Sequence, residues 1–251
     1  MVRGAALGIT RALARFVHAR WQRLLTLFAG VGLPLAIFGA LAEDVWDDGG
    51  LAWDTPILHW AYAQATPARN AAMAFISDIG HAYGVVPLAF VIFFALLVMR
   101  RRGNALFFAV AVGGAGALNR GAKLFFGRDR PDLWVSPSPA PEHTYSFPSG
   151  HAMGSMALVA ALAVLAWPTR WRWWAILVGG AFTFLVGFSR VYLGVHYPSD
   201  VAAGWCASLG WVLGVSQIAY GRAGKPSPRS TPAAAGPDPV AEPAPGADDP
   251  R

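Results

Sequence analysis

Six apolar runs constrain this chain more than any other feature, at about residues 24–42, 82–99, 105–122, 152–167, 173–188 and 201–219. A hydrocarbon core of ~30 Å needs about 20 helical residues to cross it, within a range of roughly 17–25. All six runs are at or near that length. Only 14% of the 251 residues are charged, and 55% are hydrophobic. A soluble domain carries about a quarter charged residues. The chain therefore reads as all-α: a polytopic membrane protein, a bundle of six transmembrane helices. Residues 1–23 form a basic cytoplasmic segment, 24–220 the membrane domain, and 221–251 a disordered Pro/Ala-rich cytoplasmic tail. The first run is long enough to span and no small-residue cleavage site follows it promptly, so it reads as a retained helix.

The formal net charge is +6. A basic balance suits nucleic acid or anionic lipid. Here most Arg and Lys flank apolar runs, so membrane topology is the reason, and no nucleic-acid partner is expected. The single Cys206 excludes an intrachain disulfide and suits a small buried apolar role.

Cytoplasmic loops are enriched in Lys and Arg. The Arg-rich N-terminal segment, Arg100–Arg102, Arg170 with Arg172, and Arg222 with Lys225 and Arg229 all fall on one side of an up-and-down threading. That side is assigned as cytoplasmic, with both termini inside. The outer side receives the connections 43–81, 123–151 and 189–200. The first is acidic at Glu43, Asp44, Asp47 and Asp48, and Asp54 or Thr55 before Pro56 suits a helix start. One or two short interfacial helices are expected there. Gly210 and Gly214 form a small-xxx-small pattern, read as packing within the bundle ahead of dimerisation.

Two outer connections break the charge rule, and they hold the chemistry. "KLFFGRDRP" carries Lys123, Arg128, Asp129 and Arg130; "PSGH" runs from Pro148 to His151; "SRVYLGVHYPSD" carries Ser189, Arg190, His196 and Asp200. Any one outer cation is ordinarily an interfacial anchor. Lys123, Arg130 and Arg190 together ask for a multiply charged anion, and phosphate fits. A helix starting near Ser149 or Gly150 presents unpaired N–H groups and a favourable dipole to the same anion. Ser149 either caps that helix or donates to phosphate. Asp200, four residues after His196, can hold its Nδ1–H and leave Nε2 as nucleophile or general base. His151 is placed to donate a proton to a leaving oxygen. His18, His59, His81 and His143 read as interfacial. A metal is not expected, because the candidate ligands His151, His196 and Asp200 lie among three cations.

These three clusters resemble the signature of the type 2 phosphatidic acid phosphatases (PAP2), which share a catalytic core with the vanadium haloperoxidases. The pattern is Lys, six residues, Arg-Pro; then Pro-Ser-Gly-His; then Ser-Arg, five residues, His, three residues, Asp. The chain reads Lys123 to Arg130-Pro131, Pro148 to His151, then Ser189-Arg190, His196 and Asp200. The resemblance covers about residues 45–220. It implies that Lys123, Arg130, Arg190, Ser149 and the Gly150 N–H bind phosphate. It implies that His196 attacks phosphorus to give a phosphohistidine, that Asp200 orients His196, and that His151 serves as acid and then base. No cofactor is implied.

The resulting expectation is a metal-independent phosphatase of a cell (inner) membrane, with its site on the periplasmic or extracellular side. Its substrate is a lipid phosphate monoester or a polyprenyl diphosphate. A lipid phosphotransferase would use the same residues. A non-catalytic lipid-binding or transport protein would need no acid and nucleophile pair. The motifs name neither the headgroup nor an oligomeric state.

Overall fold

The structure is a computed structural model that describes residues 21, 24, 25, 27–138 and 143–221. The basic N-terminal segment up to residue 20 and the tail from 222 lie outside the described residues. Among the described residues eight α-helices follow in order: α1 (Leu33–Asp48), α2 (Asp54–Ala63), α3 (Pro67–Ile79), α4 (Val85–Val98), α5 (Arg102–Phe126), α6 (Gly150–Ala166), α7 (Arg172–Tyr192) and α8 (Pro198–Tyr220). A π-helical turn, Phe28–Gly32, leads into α1 without a break. There is no strand among the described residues.

Six of the helices fall on the six apolar runs, and α2 and α3 form the pair of short helices expected in the first connection. Four are long and apolar enough to cross a membrane: Phe28–Asp48, Arg102–Phe126, Arg172–Tyr192 and Pro198–Tyr220. The other two are shorter, 14 residues in α4 and 17 in α6. At 1.5 Å per residue these reach only about 21 and 25 Å.

Several helices extend past the sequence boundaries, whereas α4 is shorter than its run at both ends. α1 continues through Glu43, Asp44, Asp47 and Asp48, which the sequence placed in a loop. Ala42 and Val45 hold it there by burying against Phe147 and Ala203, while the acids point outward. α5 runs on to Phe126 and α7 to Tyr192, so Lys123 and Arg190 sit in last turns. Cations are favoured at that end of a helix. Start signals are local: Thr66 Oγ1 accepts the Arg69 N–H at 3.3 Å ahead of Pro67, and Pro198 opens α8.

The surface is inverted relative to a soluble protein. Val91, Leu106, Leu177 and Ile218 are all more than 60% exposed, which suits a bundle whose solvent is lipid. Since lipid tails are as apolar as Leu, close packing of small residues holds such helices together. α6 is built this way, with Ala152, Ser155, Ala157, Ala160 and Ala161 buried. It packs against α5, α7 and α8, and α8 packs against α1. A Cβ on Gly204 of α8 would stand 2.9 Å from the Ser149 carbonyl oxygen, so this glycine lets α8 reach the start of α6. Gly210 packs on Leu35 and Gly214 on Val31. The small-xxx-small pattern therefore serves the contact between α8 and α1 in the same chain.

The α7–α8 contact supplies a test. A Cβ on Gly187 would meet Trp205 at 2.3 Å and Val201 at 2.6 Å, whereas Gly180 has nothing within 4 Å. Gly187→Ala is expected to cost about 1–3 kcal/mol by overpacking. Gly180→Ala is expected to stabilise by about 0.5–1 kcal/mol through helix propensity. Thermal melting of the detergent-solubilised variants checks both signs.

Candidate active site

All three motifs meet at one end of the bundle. After Gly127 ends α5 in a left-handed turn, the segment 128–130 runs beside 144–146, where the Ser146 N–H donates to the Arg128 carbonyl at 2.8 Å. The Ser149 N–H donates to the Asp200 carbonyl at 3.0 Å, tying the start of α6 to the first turn of α8. Asn119 of α5 donates through Nδ2 to the Pro148 carbonyl at 2.9 Å. The Pro-Ser-Gly-His turn is thus gripped from both flanking helices.

His196 is nearly completely buried in the loop before α8. Arg130 NH1 lies 3.1 Å from its Nε2. A guanidinium only donates, so Nε2 is the acceptor and the ring proton rests on Nδ1. Nδ1 faces Asp200 Oδ2 at 3.3 Å and Ser146 Oγ at 3.2 Å. Ser146 Oγ donates in turn to Asp200 Oδ2. Burial pushes the His196 pKa well below its ordinary value, and the charges of Arg130, Arg190 and Lys123 push it the same way. The imidazole is therefore neutral, with its lone pair directed at a guanidinium. Of the three motif cations, Arg130 touches the ring directly.

Each cation is held in place. Lys123 Nζ donates to the Tyr145 carbonyl. Arg130 donates to the carbonyls of Thr144 at 2.7 Å and Val195 at 2.8 Å. Arg190, 2% exposed, donates to Ser77 Oγ of α3. Lys123 and Arg130 line a cavity of about 570 Å³ together with Arg120, Asp129, His143 and Thr144. His143, read from sequence as interfacial, therefore borders the same cavity.

Ser149 is the N-cap residue of α6, yet its side chain makes no capping bond. Its hydroxyl is fully buried and has no hydrogen-bond partner among the described residues. Of the two sequence readings, capping is not what this side chain does. Gly150 is the first residue of α6, with His151 next. The His151 ring lies 4.7 Å from that of His81, centroid to centroid. His81 was read as interfacial; it stands at the site, brought there by the turn between α3 and α4.

Sequence reasoning passed over four further residues. Asn119 and Ser146 make the contacts given above. Arg128, which was noted only as part of a basic run, is buried: NH1 donates to Asp200 Oδ1 at 2.6 Å and to Ser199 Oγ at 2.8 Å. NH2 donates to Asp54 Oδ2 at 2.8 Å, and Nε to the Gly49 carbonyl at 3.0 Å. Asp54, read as a helix start, is the first residue of α2 and also accepts the Ser199 N–H at 2.9 Å. Arg128 sits between two motif members and Asp54 lies in a separate connection, so no spacing rule links them. Among the described residues no group of three or more His, Cys, Asp or Glu is arranged to hold a metal ion.

Two apolar grooves reach this end of the bundle. One, of about 430 Å³, runs between α4, α5 and α6 and includes His81, Asn119 and Gly150. The larger, about 1270 Å³, runs between α1, α5 and α8 and reaches Pro148 and Met153.

The model of the PAP2 superfamily matches residues 104–223. The chain is 32% identical over 155 residues to phosphatidylglycerophosphatase B of Bacillus subtilis, covering 59% of this chain and 72% of that protein. It is 33% identical over 142 residues to an undecaprenyl-diphosphatase of Sulfolobus acidocaldarius, covering 54% of this chain and 64% of that one, just under two thirds of its length. Among solved structures it resembles a transmembrane PAP2-type phosphatidylglycerolphosphate phosphatase from Bacillus subtilis. The TM-score is 0.65 at 26% identity, covering 74% of this chain and 94% of the other. With the three motifs assembled into one site and these similarities along the membrane domain, the chain belongs to the PAP2 superfamily and is a membrane-bound phosphoric ester hydrolase.

Proposed function

We propose that this protein is a metal-independent lipid phosphatase that hydrolyses a lipid phosphate monoester or a polyprenyl diphosphate through a phosphohistidine on His196. The observation that carries this reading is the neutral, buried imidazole. Its Nε2 lone pair faces the cation cluster and its Nδ1–H faces Asp200.

Lys123, Arg130 and Arg190 hold the phosphate oxygens, with the buried Ser149 hydroxyl and the Gly150 N–H as further donors. Arg130 shifts its bond from Nε2 to a phosphate oxygen, which frees the lone pair. Nε2 attacks phosphorus, the bond to the leaving oxygen breaks, and His151, which takes up a proton from solvent once the phosphate's negative charge offsets the surrounding cations, gives that oxygen its proton. Asp200 stabilises the positive charge that builds on the ring. His151, now neutral, takes a proton from water as the water oxygen attacks phosphorus. The bond from phosphorus to Nε2 breaks, and phosphate leaves. Positioning and charge stabilisation supply most of the rate in such transfers.

The named activities of the two curated relatives support a lipid substrate, as do the grooves that meet the Pro-Ser-Gly-His turn. An acyl or isoprenyl chain lies along a groove while its phosphate reaches the cations. Six spans with both termini cytoplasmic put Arg100–Arg102, Arg170 and Arg172 inside and the site on the periplasmic or extracellular face. The protein is thus a multi-pass protein of the cell (inner) membrane.

Purified protein in detergent with EDTA is expected to release phosphate from phosphatidylglycerophosphate or undecaprenyl diphosphate. His196→Ala is expected to lower the rate by roughly 10³-fold or more. Retained turnover in that variant would remove His196 as nucleophile.

His151→Ala is expected to cost about 10²–10⁴-fold on a lipid phosphate, whose alkoxide is a poor leaving group. The loss on an aryl phosphate is expected to be much smaller. Equal losses on both substrates would leave His151 a positioning role only.

The titration of His196 has a definite sign. Its folded pKa lies below its ordinary value of 6.5. Between the two values the unfolded chain binds a proton that the folded protein does not, so stability rises with pH in that window. Melting temperature is therefore expected to fall as pH drops below about 6.5. His196→Gln is expected to flatten that slope in the same detergent.

A further inference from the structure

We infer that Arg128 and Asp54 form a positioning pair for the site: they fix the Asp200 carboxylate and set the net charge behind His196. The inference rests on the phosphohistidine reading and goes beyond the motif residues.

Asp200 has two oxygens with different duties. Oδ2 accepts from Ser146 Oγ, from the Tyr197 N–H at 2.9 Å, and faces His196 Nδ1. Oδ1 accepts from Arg128 NH1 at 2.6 Å. Turning the carboxylate would break both sets at once, so Arg128 locks the oxygen that meets His196. Arg128 is itself clamped. It is 7% exposed, its guanidinium lies 4.0 Å from the centre of the Tyr197 ring, and each of its nitrogens donates inward. A Cβ on Gly50 would stand 2.1 Å from its NH2, so the backbone there is bare to let the guanidinium in. Arg128 is not among the residues lining the cavity that Lys123 and Arg130 share. Its hydrogen bonds engage Gly49, Asp54, Ser199 and Asp200, which suits positioning rather than phosphate binding.

Charge counting explains Asp54. An Arg128–Asp200 pair alone would be neutral, and Asp200 could do little for a positive ring. Without Arg128, two carboxylates would share a buried site and one would take a proton. With all three present the group carries a net charge of −1 and every oxygen is engaged. Asp54 accepts from Arg128, from the Ser199 N–H and from Ser199 Oγ at 2.6 Å. It therefore offsets Arg128 and leaves Asp200's charge for the ring that becomes cationic on phosphorylation.

A purely structural staple between α2, α5 and α8 would have the same contacts, so the test must read more than stability. The charged and titratable groups facing His196 are Lys123 of α5, Arg130 after it, His151 of α6, Arg190 of α7 and Asp200 of α8. Asp54→Asn keeps the side chain's shape, removes the charge behind this set and replaces one acceptor with an amide N–H that faces donors of Arg128 or Ser199. It is expected to lower kcat about 10–100-fold at unchanged KM and to move the acid limb of the kcat/KM profile to lower pH. Arg128→Lys keeps the charge but loses the planar fork; it is expected to lower kcat about tenfold at unchanged KM, with the acid limb in place. Arg128→Gln is expected to lose more activity than Arg128→Lys. Wild-type kcat and an unmoved acid limb in Asp54→Asn, or wild-type kcat in Arg128→Lys, would overturn the inference and leave a staple. The parallel His196→Ala assay separates the two levels. If His196→Ala is inactive while the Asp54 and Arg128 variants behave as wild type, only the positioning pair fails. If His196→Ala retains turnover, the nucleophile reading fails first.

Discussion

The contact between Asp200 and His196 is the constraint on which the rest of the site depends. One carboxylate closes the first turn of α8 on the Tyr197 N–H and also holds the ring proton of His196. Capping and orientation are thus the same hydrogen-bonding act, and neither can drift without the other. The carbonyl of Asp200 then receives the Ser149 N–H. The helix that carries the imidazole's partner therefore also sets the height of the Pro-Ser-Gly-His turn.

Membrane packing makes that arrangement possible. A lipid solvent provides no hydrophobic drive between helices, so close backbone approach must supply the cohesion. α6 is lined with Ala and Ser, and Gly204 lets α8 come within contact of the Ser149 carbonyl. Larger residues would hold α8 away and break the bond between Ser149 and Asp200. The apolar grooves beside α5 belong to the same geometry, because helices brought together at the site end leave furrows open to lipid elsewhere.

Much of this was legible in the sequence, and the boundary of legibility is physical. The six apolar runs give the helices, since their signal is local and repeated. The residues that form Lys123–Arg130, Pro148–His151 and Ser189–Asp200 are short-range patterns, so their spacing survives without a structure. His81, Ser77, Asn119 and Asp54 were not legible as site residues. Ser77, Asn119 and Asp54 reach the site from other helices and His81 from the turn between α3 and α4, and nothing near them in the chain differs from an ordinary interfacial or capping residue. Helix ends run past the apolar runs where tertiary contact holds the last turns, as Ala42 and Val45 do for α1. Near the end of α7, Arg190 donates to Ser77 of α3.

Arg128 and Arg130 show why residue type alone does not assign a role. They are two positions apart in a basic run, and both lie against the His196–Asp200 pair. Arg130 is met by the carbonyls of Thr144, Tyr145 and Val195, by Thr144 Oγ1 and by a neutral imidazole. These acceptors are neutral and fix the direction of the guanidinium. Arg128 is met by two carboxylates, Asp54 and Asp200, within 3 Å. Its charge is consumed inside the fold, and its geometry is what it contributes. Arg130 lines the cavity, whereas Arg128 donates inward to Gly49, Asp54, Ser199 and Asp200. Two arginines two residues apart thus meet different surroundings at a single site, one bordering a cavity and one locked onto carboxylates.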